Sequence, residues 1–265
     1  MTLIGPFPNP LIPFRPEEEM VWLPESNPNG YNLSMEIKNL HPWQVSVERA
    51  FEIQKKLANQ VSRKNEIVTA PCFIAGVDIS VDKVRKTGKG AVVVVKYPEL
   101  EIAETKVVED RLEFPYIPGL LSFRESPLIL AACQKLEITP DLIIVDGQGI
   151  AHPRRMGIAS HLGLLLDTPT IGCAKSLLCG TYEMPDETKG SNSEIIDNGE
   201  VIGAALRTKK NARPVFVSIG HKVDLETAIY WVLGCCRNYR LPEPARFAHL
   251  AAGGTLKETV KAKTT

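Results

Sequence analysis

The stretch CFIAGVDISVDKVRKTGKGAVVVVKYPELEIAETKVVED (72–110) contains three β-rich runs: CFIAGVDIS, GAVVVVKYPE and EIAETKVVED. A basic, glycine-containing turn (VRKTGKG) and a proline-containing turn (YPEL) part them. Connections this short predict an antiparallel meander, because a parallel pair needs a long crossover. Downstream the pattern changes. LIIVD (142–146) is an unbroken apolar run ending on an acid, as in a strand buried on both faces. Before it, Leu120, Leu121, Phe123, Leu128, Ile129, Ala132 and Leu136 keep a helical period, with Pro127 in the first turns or bending the helix. After it, Met156 to Leu166 predicts another helix, TPTIGCAKS (168–176) a strand, and VIGAALR (201–207) with PVFVSIG (214–220) a further pair. DLETAIYWVLGCCRN (224–238) predicts a closing helix, and the spacing of Val45, Ala50, Ile53, Leu57 and Val61 an amphipathic one that leads in and ends near Lys64. Hairpin strands followed by alternating helix and strand predict an α/β fold. Its mixed sheet runs as an antiparallel meander and then parallel strands, flanked by helices.

Around this core, the prolines of MTLIGPFPNPLIPFRP (1–16) predict an irregular arm over residues 1–41, followed by a single domain over 42–252 and a flexible tail over 253–265. The segment from Tyr182 to Glu200, acidic and rich in Gly, Ser and Asn, reads as a solvated loop. With 265 residues, one full-size core is the default. At 44% hydrophobic and 23% charged the chain is an ordinary globular protein, which excludes a disordered, collagen-like or coiled-coil chain. Lys+Arg 31 against Asp+Glu 31 excludes a coat of positive charge, so any nucleic-acid contact has to be a local basic groove. Cys72, Cys133, Cys173, Cys179, Cys235 and Cys236 form no CxxC or zinc spacing and read as buried reduced thiols. No run approaches the roughly 20 apolar residues of a membrane span, and the N-terminus lacks a signal-peptide pattern. A cytoplasmic protein without membrane contact is therefore expected.

Three acids stand where acids are costly. Asp78 lies inside an apolar strand between Val77 and Ile79; alone, a salt bridge or turn cap is its plainer account. Asp146 ends LIIVD and precedes Gly147-Gln148-Gly149, which lets the backbone turn sharply at the end of a buried strand, where α/β sheets place their sites. Glu125 opens the helix after FPYIPG, where by itself it would only complement the helix dipole. Together, three carboxylates can hold hard cations, Mg²⁺ or Mn²⁺ rather than zinc. Such a site activates water for in-line attack at phosphorus, in the usual scheme with two ions about 4 Å apart. Phosphodiester hydrolysis becomes the leading reaction.

The strings GVDIS (76–80), FPYIPGLLSFRE (114–125), VDGQGIAHPRRMGIASHLG (145–163), GCAKS (172–176) and RLPEPARFAH (240–249) resemble the motifs of endonuclease V, the deoxyinosine-directed repair nuclease with an RNase H-like fold. They follow one another in order over residues 72–249. The resemblance implies Mg²⁺-dependent cleavage of the second phosphodiester bond 3′ to a deaminated adenine, with Mn²⁺ able to substitute, leaving 3′-hydroxyl and 5′-phosphate ends. It implies metal-binding roles for Asp78, Glu125 and Asp146. It also places His152 near a phosphate or a proton transfer, Lys175 at the scissile phosphate or attacking water, and His249 beside the metals.

The same resemblance makes Tyr116-Ile117-Pro118-Gly119 a rigid wedge that fills the gap left by an extruded base. Gly119, Gly147 and Gly149 become positions that leave room for that base. Arg154 and Arg155 are expected on phosphates, as are Lys209, Lys210 and Arg213 and the turn holding Lys83, Arg85, Lys86 and Lys89. His221 sits in a Gly-His motif without a settled role, and Asp224 reads as a helix N-cap. The expected partner is deoxyinosine-containing DNA, met by a monomer. Cleavage of inosine-containing single-stranded RNA is the alternative, and a non-catalytic nucleic-acid binder the remoter one.

Overall fold

The structure, a computed structural model, describes residues 35–256. One nine-stranded sheet carries the fold. The meander is β1 (Phe73–Asp82), β2 (Thr87–Lys96) and β3 (Glu101–Arg111). Helix α1 (Val47–Ala58) precedes it, with Ser46 capping its first turn by accepting from the Arg49 N–H. Then follow α2 (Leu121–Cys133), β4 (Leu142–Val145), α3 (Ile158–Leu166), β5 (Thr170–Ala174), β6 (Thr181–Tyr182), β7 (Asn192–Asp197), β8 (Glu200–Leu206), β9 (Val215–His221), α4 (Leu225–Gly234) and α5 (Glu243–Ala252). The strands lie in the order β3-β2-β1-β4-β5-β9-β8-β7-β6. Pairs β1–β4 and β4–β5 are parallel and all others antiparallel, which bears out the mixed sheet expected from the sequence.

The run AVVVVK explains how both faces are covered. Side chains alternate across a strand, so Val93 and Val95 pack with Ile74, Ile144, Trp231 and Ala245 on the face of α4 and α5. Val92 and Val94 pack with Ala75, Ile143, Ile129 and Leu162 on the face of α2 and α3. Each such aliphatic side chain, removed fully from water, contributes roughly 1.5–3 kcal/mol.

Several expectations need correction. Residues 35–41 belong to the packed domain rather than to an arm: Met35 is buried with Ile37 and Leu40 against α3, and the Lys38 N–H donates to the Leu165 carbonyl at 2.7 Å. The rest of the arm lies outside the described residues, as do residues 257–265 of the tail. The acidic segment after Tyr182 is partly strand: β7 pairs with β8 through Ile195↔Gly203, and only Ile195 in it is buried, which hid it in a polar sequence. Helix α5 was not expected at all. Of the cysteines, Cys133, Cys173, Cys235 and Cys236 are buried, whereas Cys72 and Cys179 are half-buried; all are free thiols. Among the described residues no helix is long and apolar enough to cross a membrane.

Candidate active site

The parallel register brings two acids together. Ile74 lies opposite Leu142, Gly76 opposite Ile144 and Val77 opposite Val145. One step further, Asp78 and Asp146 fall side by side, and the Asp146 N–H donates to the Val77 carbonyl at 3.3 Å. Both are in phase with Ile74 and Leu142, so both face the layer of α5.

Gly76 then decides where α5 can lie. A Cβ there would stand 2.0 Å from the Pro244 carbonyl oxygen, so only glycine admits the helix onto β1. Five residues beyond Pro244, His249 reaches Asp78, with Nδ1 at 2.7 Å from Oδ2. Asp78, Asp146 and His249 present ligand atoms all within 4.8 Å of one another. From the end of β5, Lys175 puts Nζ at 2.5 Å from Asp146 Oδ2. Arg240 holds the Lys175 backbone by donating to its carbonyl and to that of Pro214, each at 2.7 Å. All of this sits at the carboxyl ends of β4 and β5 and beside the middle of β1, just past its last pair with β4.

Electrostatics marks the cluster as short of positive charge. Burial, and then the neighbouring Asp146, push the Asp78 carboxyl up from its ordinary value, against the pull of His249, the Ile79 N–H and Lys175. Glu125, the fifth residue of α2, is not among the donors within 4.8 Å but feels them. Burial, then Asp78 and Asp146, raise it to about 7, with Arg124 the one opposing influence. A divalent cation fits this donor set: two half-buried carboxylates in mutual repulsion with a third close by, and the Lys175 ammonium already drawn onto one of them.

The second feature is the turn before α2. Tyr116 is 66% exposed, Pro118 is exposed, and Ile117 packs inward with Phe114, Leu120 and Phe123. Gly119 has φ +79°, a left-handed conformation that favours glycine. Its carbonyl oxygen accepts from three side chains: Arg154 Nη2 at 2.8 Å, Gln54 Nε2 at 2.9 Å and His152 Nε2 at 3.0 Å.

This network bears on several of the expected site residues. His152 is buried, donates through Nε2, and accepts the Arg154 N–H at Nδ1 (3.1 Å), so both ring nitrogens already have partners inside the protein. Burial, and then the Arg154 charge, lower its pKa to about 4. Arg154 gives Nε to Gln54 Oε1 at 2.6 Å and stacks its guanidinium on Phe51, 4.3 Å from the ring centroid. Arg155 is bound by Glu200 at 2.6 Å and Asp197 at 2.9 Å. Both arginines are therefore engaged inside the protein, because partners far away in sequence fold back onto them.

Gly147 and Gly149 also serve packing. A Cβ at Gly149 would stand 1.9 Å from the Ile219 carbonyl oxygen, and one at Gly147 2.5 Å from an Ile158 methyl. Any room for a base there is left by the backbone, not by the missing side chains. Of the other basic residues, Lys89 pairs with Glu109 at 3.4 Å, and Lys209 and Lys210 are exposed. A groove of about 450 Å³ begins at Ser80, two residues along β1 from Asp78, and runs past Lys83, Arg85 and Lys89. His221 accepts the Ser62 N–H at 3.0 Å, away from the cluster, and Asp224 caps α4 through the Thr227 N–H at 2.8 Å, as expected.

A family model described as endonuclease V matches residues 55–250. Endonuclease V of Trichormus variabilis is 50% identical over 214 residues, covering 81% of this chain and 97% of its own. That of Methanothrix thermoacetophila is 49% identical over 220 residues, with 82% and 96% covered. Among solved structures, endonuclease V of Streptomyces avermitilis superposes with a TM-score of 0.77 at 38% identity, covering 85% of this chain and 98% of that one. Ciona intestinalis endonuclease V, in complex with a 24mer DNA containing an inosine followed by a ribo-adenosine, gives a TM-score of 0.68 at 31% identity, covering 79% and 97%.

Proposed function

The chain belongs to the endonuclease V family of nucleases, with its RNase H-like fold, and from that premise we propose that it hydrolyses DNA at deoxyinosine. The bond cut is the second phosphodiester 3′ to the deaminated base, the products carry 3′-hydroxyl and 5′-phosphate ends, and the reaction needs Mg²⁺, for which Mn²⁺ substitutes. The observation that carries this reading is the side-by-side placement of Asp78 and Asp146 on one face of the sheet, with His249 completing a donor cluster within 4.8 Å.

Asp78 and Asp146 would hold the cation, with Glu125 joining them from α2 once its carboxyl ionises. When bound, the cation supplies Lewis-acid chemistry, a water acidic enough to attack at neutral pH and neutralisation of charge at phosphorus. Lys175, whose ammonium lies 2.5 Å from Asp146 Oδ2, would hold the scissile phosphate beside the cation. His249, 57% exposed in its side chain and bonded to Asp78, is the titratable group nearest the solvent side of the cluster and the candidate to pass a proton to the leaving oxygen. Tyr116, at the tip of the anchored turn, would fill the gap left by the extruded base, while the backbone around Gly147 and Gly149 reads the base itself. His152 and Arg154 act here by fixing Gly119. Arg155, bound to Glu200 and Asp197, fixes the loop after α2 and β4 to the β7–β8 hairpin.

The protein is read as a cytoplasmic monomer, in keeping with its free thiols. Cleavage of inosine-containing RNA uses the same residues, and the ribo-adenosine in the Ciona complex keeps that second reading in view. Labelled oligonucleotides carrying one inosine, as duplex DNA, single-stranded DNA and RNA, with and without Mg²⁺, test both. Mg²⁺-dependent scission at the second bond 3′ to inosine is the expected result. Absence of scission, or scission indifferent to inosine, sinks the proposal.

A further inference from the structure

Gln54 is 1% exposed on a helix whose other buried positions are Ala50, Ile53 and Leu57, and it precedes by one residue the span matched by the family model. A buried amide on an apolar stripe is costly unless its hydrogen-bonding capacity is used. Here it is used. Nε2 donates to the carbonyls of Gly119 (2.9 Å) and Met156 (3.0 Å), and Oε1 accepts from Arg154 Nε (2.6 Å). The opposite setting of the amide would aim its oxygen at two carbonyls and its NH₂ at a guanidinium, so the partners fix its orientation.

Gln54 thereby ties three separate segments: the turn 116–119, the loop 152–156 that follows β4, and α1 itself. Arg154 alone has a flexible stem; held at Nε by Gln54 and stacked on Phe51, it meets Gly119 in one geometry. Gly119, left-handed and gripped at its carbonyl, is the pivot through which the exposed Tyr116 is held relative to the loop after Asp146.

We propose that Gln54 is a positioning residue for lesion selectivity: it touches neither nucleic acid nor metal, and it sets where the Tyr116 turn stands when a base leaves a duplex. The proposal rests on the function proposed above. A wedge has a gap to fill only in a duplex, so its misplacement should slow cleavage of duplex inosine DNA and spare single-stranded inosine DNA.

The test is Gln54→Met, which keeps volume and removes all three hydrogen bonds, with Gln54→Glu as a second variant that keeps the Arg154 partner but turns a carboxylate oxygen onto the two carbonyls. Single-turnover rates at subsaturating enzyme should fall about tenfold for both variants on duplex substrate, the scale of losing about one net hydrogen bond's worth of positioning. On the single strand they should stay within about twofold, at an unchanged Mg²⁺ dependence. Equal losses on both substrates, or no loss on either, overturn the proposal. Amide exchange gives a readout independent of cleavage: the Leu120 N–H, bonded to the Ile117 carbonyl at 2.9 Å, should exchange about tenfold faster in Gln54→Met, and unchanged exchange overturns the anchoring role. Parent protein inert on every inosine substrate removes the proposed function itself, which the exchange measurement does not touch.

Discussion

The donor cluster and the wedge turn, both built at the carboxyl edge of the same sheet, are satisfied in opposite ways. At Asp78, Asp146 and Glu125 the fold crowds carboxylates together, and among the described residues Lys175 and His249 alone pair with them, so the site is short of positive charge. At Gly119 every partner is present already: three donors converge on one carbonyl, and His152 and Gln54 use both ends of their polar groups. One region is set to accept charge and the other is rigid beforehand. Preorganisation and strain are thus divided between two places rather than combined in one.

Breaking the charged half has the largest expected effect. Asp146→Asn should lower single-turnover cleavage by more than about 1,000-fold, the scale of roughly 4 kcal/mol of lost transition-state stabilisation. A gel-shift assay should still detect binding to inosine DNA. Cleavage near the parent rate would remove Asp146 from the chemistry.

Acid separates the two halves by sign. His152 is held neutral with a folded pKa near 4 against about 6.5 unfolded, so the unfolded chain takes up the proton first. Its contribution to stability, roughly 3 kcal/mol, is present above pH 6.5 and is lost as the pH falls toward 4. Glu125, raised to about 7 from 4.5, does the reverse: the folded state binds its proton first, which stabilises it as the pH falls from 7 toward 4.5. Melting temperatures in EDTA between pH 7.5 and 5 should therefore fall more steeply for Glu125→Gln than for the parent, and less steeply for His152→Gln. Parallel curves would contradict both environments.

A smaller effect tests the rigid half alone. Tyr116→Ala should narrow the preference for lesion over normal duplex about tenfold, the scale of one base–aromatic stack, without moving the Mg²⁺ concentration for half-maximal rate. A shift in metal requirement with selectivity intact would reverse the division drawn here. Smallest, Asp78→Asn should raise the melting temperature of the metal-free protein by about 2–4 °C, as about 1 kcal/mol of carboxylate repulsion is relieved. A lower melting temperature would show that the His249 bond outweighs that repulsion.

The sheet was legible because its signals are local. AVVVVK and LIIVD are strand-like whatever surrounds them, and short turns force the meander. Helix α5 was not legible: RLPEPARFAHLAA opens on prolines and its buried face is mostly alanine, so its apolar stripe carries little contrast. The strand in SNSEIID, next to the short edge strand β6, has one buried side chain, too little for a pattern. Asp78, Asp146, Lys175 and His249 were marked as site residues, and the structure brings them together. Sequence order alone says nothing of partners contributed from afar. It leaves Arg154 and Arg155 looking free, although Gln54 lies 100 residues from one and Asp197 and Glu200 lie 42 and 45 from the other. Gln54 did carry one signal, an amide standing in the apolar stripe of α1.

The contact of Pro244 on Gly76 also orders events during synthesis. His249 reaches Asp78 only after α5 docks on a strand made some 170 residues earlier. A chain made only as far as β9 therefore holds Asp78 and Asp146 on adjacent strands without the histidine that completes their donor cluster.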